Sequence, residues 1–328
     1  MFTFSKVKIK LSLKVLLFLF SLLLFNRAIA QNGEVEKITS KDCLTCHETG
    51  KHDTAIDQDL SHSIHKDLEC LDCHQDKNSS PHQIKLGFRV GYQGCGTCHD
   101  TEFTQYKIHG RIEVASGKDI PICSDCHGDH DVLQSSLKLS KTHPANLPQT
   151  CGRCHEDLDL IKKHDILLGN PIQVYENSIH GQATKGGVYV AATCNDCHST
   201  NGSAHQILAP GNAESSINHF NIPKTCGKCH KGVENDYWEG IHGKLVARGE
   251  TDSPVCTNCH GEHGILSPKD PRSPVSKVRV AEATCSPCHE SITLTEKYGL
   301  PTGRLTSFID SYHGLKNKAG DLFVANCA

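Results

Sequence analysis

Apolar residues are sparse in this 328-residue chain, and their one long run lies near the amino terminus. Residues 15–25 are apolar except for Ser21, a run too short to span a membrane comfortably. Lysines precede the run, and Ala28-Ile29-Ala30 follows it as a small-x-small cleavage sequence. We therefore predict a signal peptide over residues 1–30 and export of the rest to the periplasm or cell surface. An uncleaved membrane anchor is the alternative.

The rest of the chain predicts short helices joined by irregular coil. Residues 156–168 and 290–298 have helical composition, and the first of them begins with two acidic residues. Residues 186–192 fit a local strand or a loop. Proline-containing links occur at 144–148 and 268–274. The expected fold class is mainly α with much irregular coil and little or no sheet.

Composition limits both the core and the partners. Aromatic residues are 5% of the chain and the mean hydropathy is -0.39, so the polypeptide alone would build a thin core. Without residues 1–30, 29 Lys and Arg face 37 Asp and Glu, a net charge of -8. This acidic balance argues against a nucleic-acid partner.

The sequence Cys-x-x-Cys-His occurs nine times. Its cysteines are Cys43, Cys46, Cys70, Cys73, Cys95, Cys98, Cys123, Cys126, Cys151, Cys154, Cys194, Cys197, Cys226, Cys229, Cys256, Cys259, Cys285 and Cys288. Its histidines are His47, His74, His99, His127, His155, His198, His230, His260 and His289. This is the attachment signature of c-type haem, in which two thiols bind the porphyrin vinyl groups and the histidine coordinates iron. Zinc knuckles, thiol redox centres and disulfide frameworks do not require that histidine.

We therefore predict nine covalent haems c, with the nine motif histidines as proximal ligands. Fourteen other histidines remain, and nine of them recur in order between the motifs. These candidate distal ligands are His65, His82, His109, His130, His180, His205, His242, His263 and His313. Their order defines two-haem modules at about 41–92, 93–140, 141–215, 216–270 and 271–328. The two motifs of each module, in chain order, are its first motif and its second motif.

The remaining five histidines do not recur in every module, and we expect them to make ring hydrogen bonds or propionate contacts. They are His52, His62, His143, His164 and His219.

The spacing also constrains which iron each distal histidine reaches. His263 follows proximal His260 by three residues, too few to pass round a porphyrin to the opposite face of the same iron. We expect His263, and likewise His130, to ligate a neighbouring haem. Several candidates precede a glycine, which we interpret as allowing the backbone to approach the ring closely. Because Met1 is the only methionine, His/Met ligation is excluded and low reduction potentials are expected.

Cys327 is the nineteenth cysteine. It follows Cys285 by 42 residues, much as Cys194 follows Cys151 by 43. We interpret Cys327 as the first residue of an interrupted tenth haem motif. A free thiol is the alternative.

With these doubled motifs, residues 41–327 resemble the bacterial multihaem cytochromes c, the class III-like and tetrahaem families. The resemblance implies two-haem repeats around a stacked haem core. It also implies an electron carrier of anaerobic respiration whose partners are other redox proteins, such as a quinol dehydrogenase, cytochromes or a terminal reductase. In some relatives a membrane cytochrome b part follows the multihaem region, and the resemblance implies that such a part is an open alternative beyond residue 328.

Electron transfer is the leading functional hypothesis, and it needs no catalytic residue. The competing hypothesis is a multihaem reductase or oxidase of nitrite, hydroxylamine or a sulfur oxyanion, which needs one iron with an open position. Surplus histidines and the absence of any Cys-x-x-Cys-Lys motif favour the carrier. A third hypothesis is a conducting scaffold or filament subunit.

Overall fold

The computed structural model describes residues 38–47, 56–75, 77, 92–114, 119–166 and 170–327. The predicted signal peptide, His52 and His82 lie outside these ranges. The described chain is mainly helical with much coil, as expected.

The helices are short, and many contain a Cys-x-x-Cys-His motif. In chain order they are α1 Ser40–His47, α2 Ile56–His62, α3 Cys70–Cys73, α4 Tyr92–Gly96, α5 Asp100–Gln105, α6 Cys123–His127, α7 Leu147–His155, α8 Leu158–Lys163, α9 Pro171–Glu176, α10 Ile179–Lys185, α11 Cys194–His198, α12 Ile222–Gly227, α13 Lys231–Glu239, α14 Ile241–Val246, α15 Cys256–His260, α16 Ser286–His289, α17 Ile292–Tyr298, α18 Arg304–Ile309 and α19 Tyr312–Lys318. A π-helix at Val280–Cys285 precedes α16.

Two of the predicted helices are shorter than expected. Residues 156–168 form α8 only over Leu158–Lys163, where the Asp157 carboxylate caps the amino terminus. Residues 290–298 form α17, whose amino terminus is capped by Ser291. The link at 144–148 is partly helical, because Pro148 lies in the first turn of α7, where proline is tolerated.

In the second motif of a module, the side chain of the residue before the second cysteine caps the start of the motif helix. The carboxylates of Asp72, Asp125 and Asp196 each accept the backbone N–H that lies three residues earlier. Asn258 does the same through its amide oxygen. This cap satisfies one donor at the start of the motif helix.

The link before a first motif also repeats. Thr150 and Thr225, directly before Cys151 and Cys226, donate to the carbonyls of Lys141 and Ser216. Thr284 donates to the Pro274 carbonyl in the same way, although its link is one residue longer. The π-helix accommodates that extra residue, because a π turn holds one more residue than an α turn.

The described chain contains one small sheet, which agrees with the expectation of little sheet. Strands β1 Ile108–Gly110, β2 Ile112–Glu113, β3 Ser199–Thr200 and β4 Ser203–Leu208 are arranged in the order β2-β1-β4-β3. Strands β1 and β4 are parallel, with His109 opposite Ile207. The sheet therefore joins two modules. Residues 186–192, predicted as a local strand or a loop, form a loop of turns.

The core of the described chain is thin, as the composition predicts. Its buried hydrophobic residues are Val114, Leu208, Val246, Val255, Val280 and Ala281. Among the described residues, no helix is both long and apolar enough to cross a membrane.

Candidate functional site

Seven of the predicted proximal histidines each face one predicted distal histidine across a constant distance. The separations of ring centroids lie between 5.9 and 6.2 Å. The pairs, distal residue second, are His99 with His65, His74 with His130, His155 with His109, His127 with His205, His230 with His180, His198 with His263, and His289 with His242.

This separation fits one iron between two imidazoles. A first-row metal lies about 2.0–2.1 Å from an imidazole nitrogen, and the ring centroid lies about 1.1 Å behind that nitrogen, so two rings that share one ion have centroids about 6 Å apart. Ordinary aromatic contacts spread over about 4.5–7 Å. The narrow range across seven pairs therefore fits axial ligation of haem better than ring packing.

Burial keeps several of these imidazoles in the neutral form that binds metal. Burial lowers the pKa of His109 to about 4, and the adjacent His155 lowers it further. Burial likewise lowers the pKa of His198 to about 4, with His263 adding to the shift. A neutral imidazole offers a nitrogen lone pair to a metal, whereas an imidazolium does not.

Every one of the seven pairs joins two different modules. The distal histidine of a first motif comes from the preceding module, as when His180 faces His230. The distal histidine of a second motif comes from the following module, as when His263 faces His198. His130 faces His74 rather than its own neighbour His127. The structure thus places His263 and His130 against histidines of neighbouring motifs rather than of their own.

At a junction between modules, a backbone hydrogen bond also joins the two segments that carry the paired distal histidines. Ile64 N–H, directly before His65, donates to the Val132 carbonyl, two residues after His130, at 2.9 Å. Ile179 N–H makes the same bond to the Ile265 carbonyl at 2.8 Å. At the junction between modules 93–140 and 141–215, the pairing of strands β1 and β4 replaces that single hydrogen bond. His109 lies in β1 and His205 lies in β4.

The motif cysteines form a chain that follows sequence order. Within modules, a thiol–thiol hydrogen bond to Cys123 lowers the pKa of Cys95 to about 7, and one to Cys226 lowers the pKa of Cys256 to about 7. Between modules, burial raises the pKa of Cys126 to about 11, and the neighbouring Cys151 adds to it. Consecutive attachment positions are therefore neighbours in space.

Cys327 lies beside Cys285. Burial raises the pKa of Cys285 to about 11, and both the charge and a hydrogen bond of Cys327 contribute. The two thiols thus occupy the relation that Cys226 and Cys256 have in the preceding module.

Two of the glycines that follow candidate distal histidines lie close to the backbone of a preceding helix. A Cβ on Gly181 would lie 2.1 Å from the Tyr175 carbonyl oxygen, and one on Gly243 would lie 2.2 Å from that of Tyr237. The close approach is therefore to the end of the preceding helix. It sets the angle at which the helix bearing the histidine leaves its neighbour.

Some candidate ligands have no axial pairing in the described structure. His82 lies outside the described residues. His313 is exposed and meets no proximal histidine among the described residues. His260 meets no distal histidine in the same part of the chain.

The non-recurring histidines that are described are engaged elsewhere. His62 bonds the Gln58 carbonyl, and His164 pairs with Asp119. His143 is buried, where its Nδ1 accepts the Ala145 N–H. The buried Nε2 of His219 has no hydrogen-bond partner among the described residues, in keeping with a propionate contact.

No group of three or more His, Cys, Asp or Glu side chains in the described chain could hold a bare metal ion. Haem needs fewer protein ligands, because the porphyrin supplies four nitrogen ligands and the chain adds two.

Two features were missed by sequence reasoning: the sheet that carries His109 and His205, and the Asp or Asn that caps each second motif. The second was visible as the residue before the second cysteine.

No protein-family model, no curated protein and no solved structure matches this chain.

Proposed function

We propose that the protein is an exported multihaem c-type cytochrome that carries electrons along a chain of bis-histidine haems. The observation that carries the proposal is the set of seven proximal–distal histidine pairs, each at the separation of two imidazoles on one iron. Bound haem supplies an iron that cycles between ferric and ferrous states.

The residues of the chain hold and tune that cofactor. Motif cysteines attach each porphyrin, and the contacts between successive motifs keep neighbouring sites close enough for electron tunnelling. Two imidazole ligands favour a low reduction potential. Methionine ligation, which would raise that potential, is ruled out because residues 31–328 contain no methionine. The function proposed is transfer between redox proteins in the periplasm or at the cell surface, in respiration.

The test is a haem count together with low-temperature EPR of the oxidised holo-protein. We expect nine covalent haems on residues 31–328, almost all of them low-spin, and midpoint potentials on the low side of the roughly 0.8 V range open to haem proteins. Far fewer than nine haems, or a mainly high-spin spectrum, would contradict the proposal.

A second candidate function has one observation in its favour. A reductase of nitrite, hydroxylamine or a sulfur oxyanion needs an iron with an open position, and His260 meets no distal histidine among the described residues. Turnover of such a substrate would support the enzyme over the carrier if it disappears whenever the high-spin signal of this haem is removed.

A further inference from the structure

Three junctions between modules share one construction. At each of them, one distal histidine of the earlier module faces a motif of the later module, and one distal histidine of the later module faces a motif of the earlier module. Where modules 141–215 and 216–270 meet, His180 faces His230, His263 faces His198, and Ile179 N–H bonds the Ile265 carbonyl. We call the segment of the later module that carries this histidine, such as residues 261–266, the returning segment. It makes two contacts: its histidine faces the iron site of the earlier module, and the carbonyl two residues later accepts an N–H.

In the described chain, the junction between modules 216–270 and 271–328 has only the first of these two pairings. His242 faces His289 at 6.2 Å, as the pattern requires. His260 has no returning histidine among the described residues. Ile241, which corresponds to Ile64 and Ile179, is 66% exposed, and in the described chain its N–H has no acceptor. Both unmade contacts are those that a returning segment makes elsewhere.

We propose that the haem of Cys256–His260 and the N–H of Ile241 together form an acceptor site for a histidine-bearing segment of a further haem module. The ligand is a neutral imidazole followed two residues later by a backbone carbonyl. The inference rests on the proposed haem chain and names the ligand class of one haem within it.

A histidine segment explains the observations better than a small anionic substrate. An anion that binds iron would account for the absence of a histidine opposite His260 in the described chain, but not for the unmade Ile241 bond. A returning segment accounts for both. The same pair of contacts is already made by Val132 and Ile265 with their preceding histidines, His130 and His263.

The test uses the oxidised holo-protein and a synthetic peptide that copies residues 261–266, acetyl-Gly-Glu-His-Gly-Ile-Leu-amide. We expect a high-spin signal from the haem of His260 before addition. The peptide should convert it to low-spin at roughly tenfold lower concentration than free imidazole does, because one more hydrogen bond forms. The same peptide with alanine for histidine should have no effect.

A matched pair of variants assigns the site. Ile241→Pro removes the N–H at the first position of α14, where proline is tolerated, and Gly240 is already extended with φ -72 and ψ 163. Peptide binding should weaken about five- to tenfold with imidazole binding unchanged. Ile292→Pro makes the same change at the first position of α17 and should alter neither affinity.

His263→Ala provides the positive control, because it opens the iron of His198 and should add a second peptide-sensitive high-spin haem. A high-spin fraction that falls as protein concentration rises identifies a second copy as the source of the segment. A fraction that stays constant excludes a second copy as the source.

Three results would overturn the proposal. They are the absence of any high-spin haem, equal affinities for peptide and imidazole, and a site that takes nitrite or hydroxylamine but not the peptide. The first two results leave the carrier function intact, because that function fails only if the haem count or the low-spin signal fails. The third result favours the reductase over the carrier.

Discussion

First and second motifs of a module carry the same five-residue signature but build different sites. First-motif histidines meet their partners with ring planes inclined at 46–65°. Second-motif histidines meet theirs at 10–29°. The two ranges do not overlap, so position within the module, rather than the motif itself, sets the ligand geometry.

The source of the distal histidine explains the difference. Second motifs take theirs from Gly128-Asp129-His130, the corresponding Gly261-Glu262-His263, or strand β4, all of which follow another second motif. First motifs take theirs from the segment between the two motifs of the preceding module, such as the first turn of α10 or α14. Different backbone approaches orient the imidazoles differently.

Removal of one distal ligand from each class should have the largest effect. His180→Ala and His263→Ala should each convert one haem to high-spin and raise its midpoint potential, by on the order of 0.1 V, because an imidazole donor is lost. EPR and a redox titration measure both. His62→Ala, which changes an exposed histidine bonded to Gln58, should leave the spectrum unaltered. Entirely low-spin spectra for both variants would refute the pairing.

The ligand planes themselves should be visible in EPR. Parallel imidazoles act on the same iron d orbital and split the d levels strongly, which gives a rhombic low-spin spectrum. Inclined imidazoles act on both orbitals and leave them nearly degenerate, which gives a single feature at high g value. We expect both signals in the unmodified protein.

Each ligand variant should remove one part of this spectrum. His263→Ala should weaken the rhombic signal, and His180→Ala should weaken the high-g feature. Loss of the same signal in both variants would break the comparison between motif classes.

The glycine after a first-motif ligand should be intolerant of a side chain. In Gly243→Ala the new methyl group would meet the Tyr237 carbonyl oxygen at 2.2 Å, displace His242 and cost about 1–3 kcal/mol of unfolding free energy. Thermal denaturation and the low-spin signal of the His289 haem measure the loss. The control is Gly232→Ala in α13, where the methyl group meets nothing within 4 Å. That variant should be neutral or gain up to about 1 kcal/mol.

The cap of a second motif should contribute least. Asp196→Ala removes the carboxylate that accepts Thr193 N–H at 2.7 Å and should cost about 1 kcal/mol. The corresponding residue of the first motif in that module, Arg153, makes no such bond within the described chain, so Arg153→Ala should leave denaturation nearly unchanged. An equal cost for the two variants would remove this distinction between the classes.

Much of the candidate site could be predicted because its parts are contiguous. Attachment cysteines and proximal histidines lie within five residues, and the spacing of His130 and His263 already excluded their own irons. The mainly helical class also followed from composition. The sheet could not be predicted in this way: β1 and β4 are short, and they pair only because two modules bring His109 and His205 together.

The sequence by itself determined the nine Cys-x-x-Cys-His motifs and the histidines that recur between them, since these are short local patterns. It also determined the surplus of histidines and the absence of methionine ligands. Only the tertiary structure decided which histidine faces which, because all seven pairs among the described residues join two modules and no local spacing encodes a partner in another module. The inclination of each ring pair and the unmade contacts at His260 and Ile241 depend on backbone packing across those junctions, so they too appear only in three dimensions.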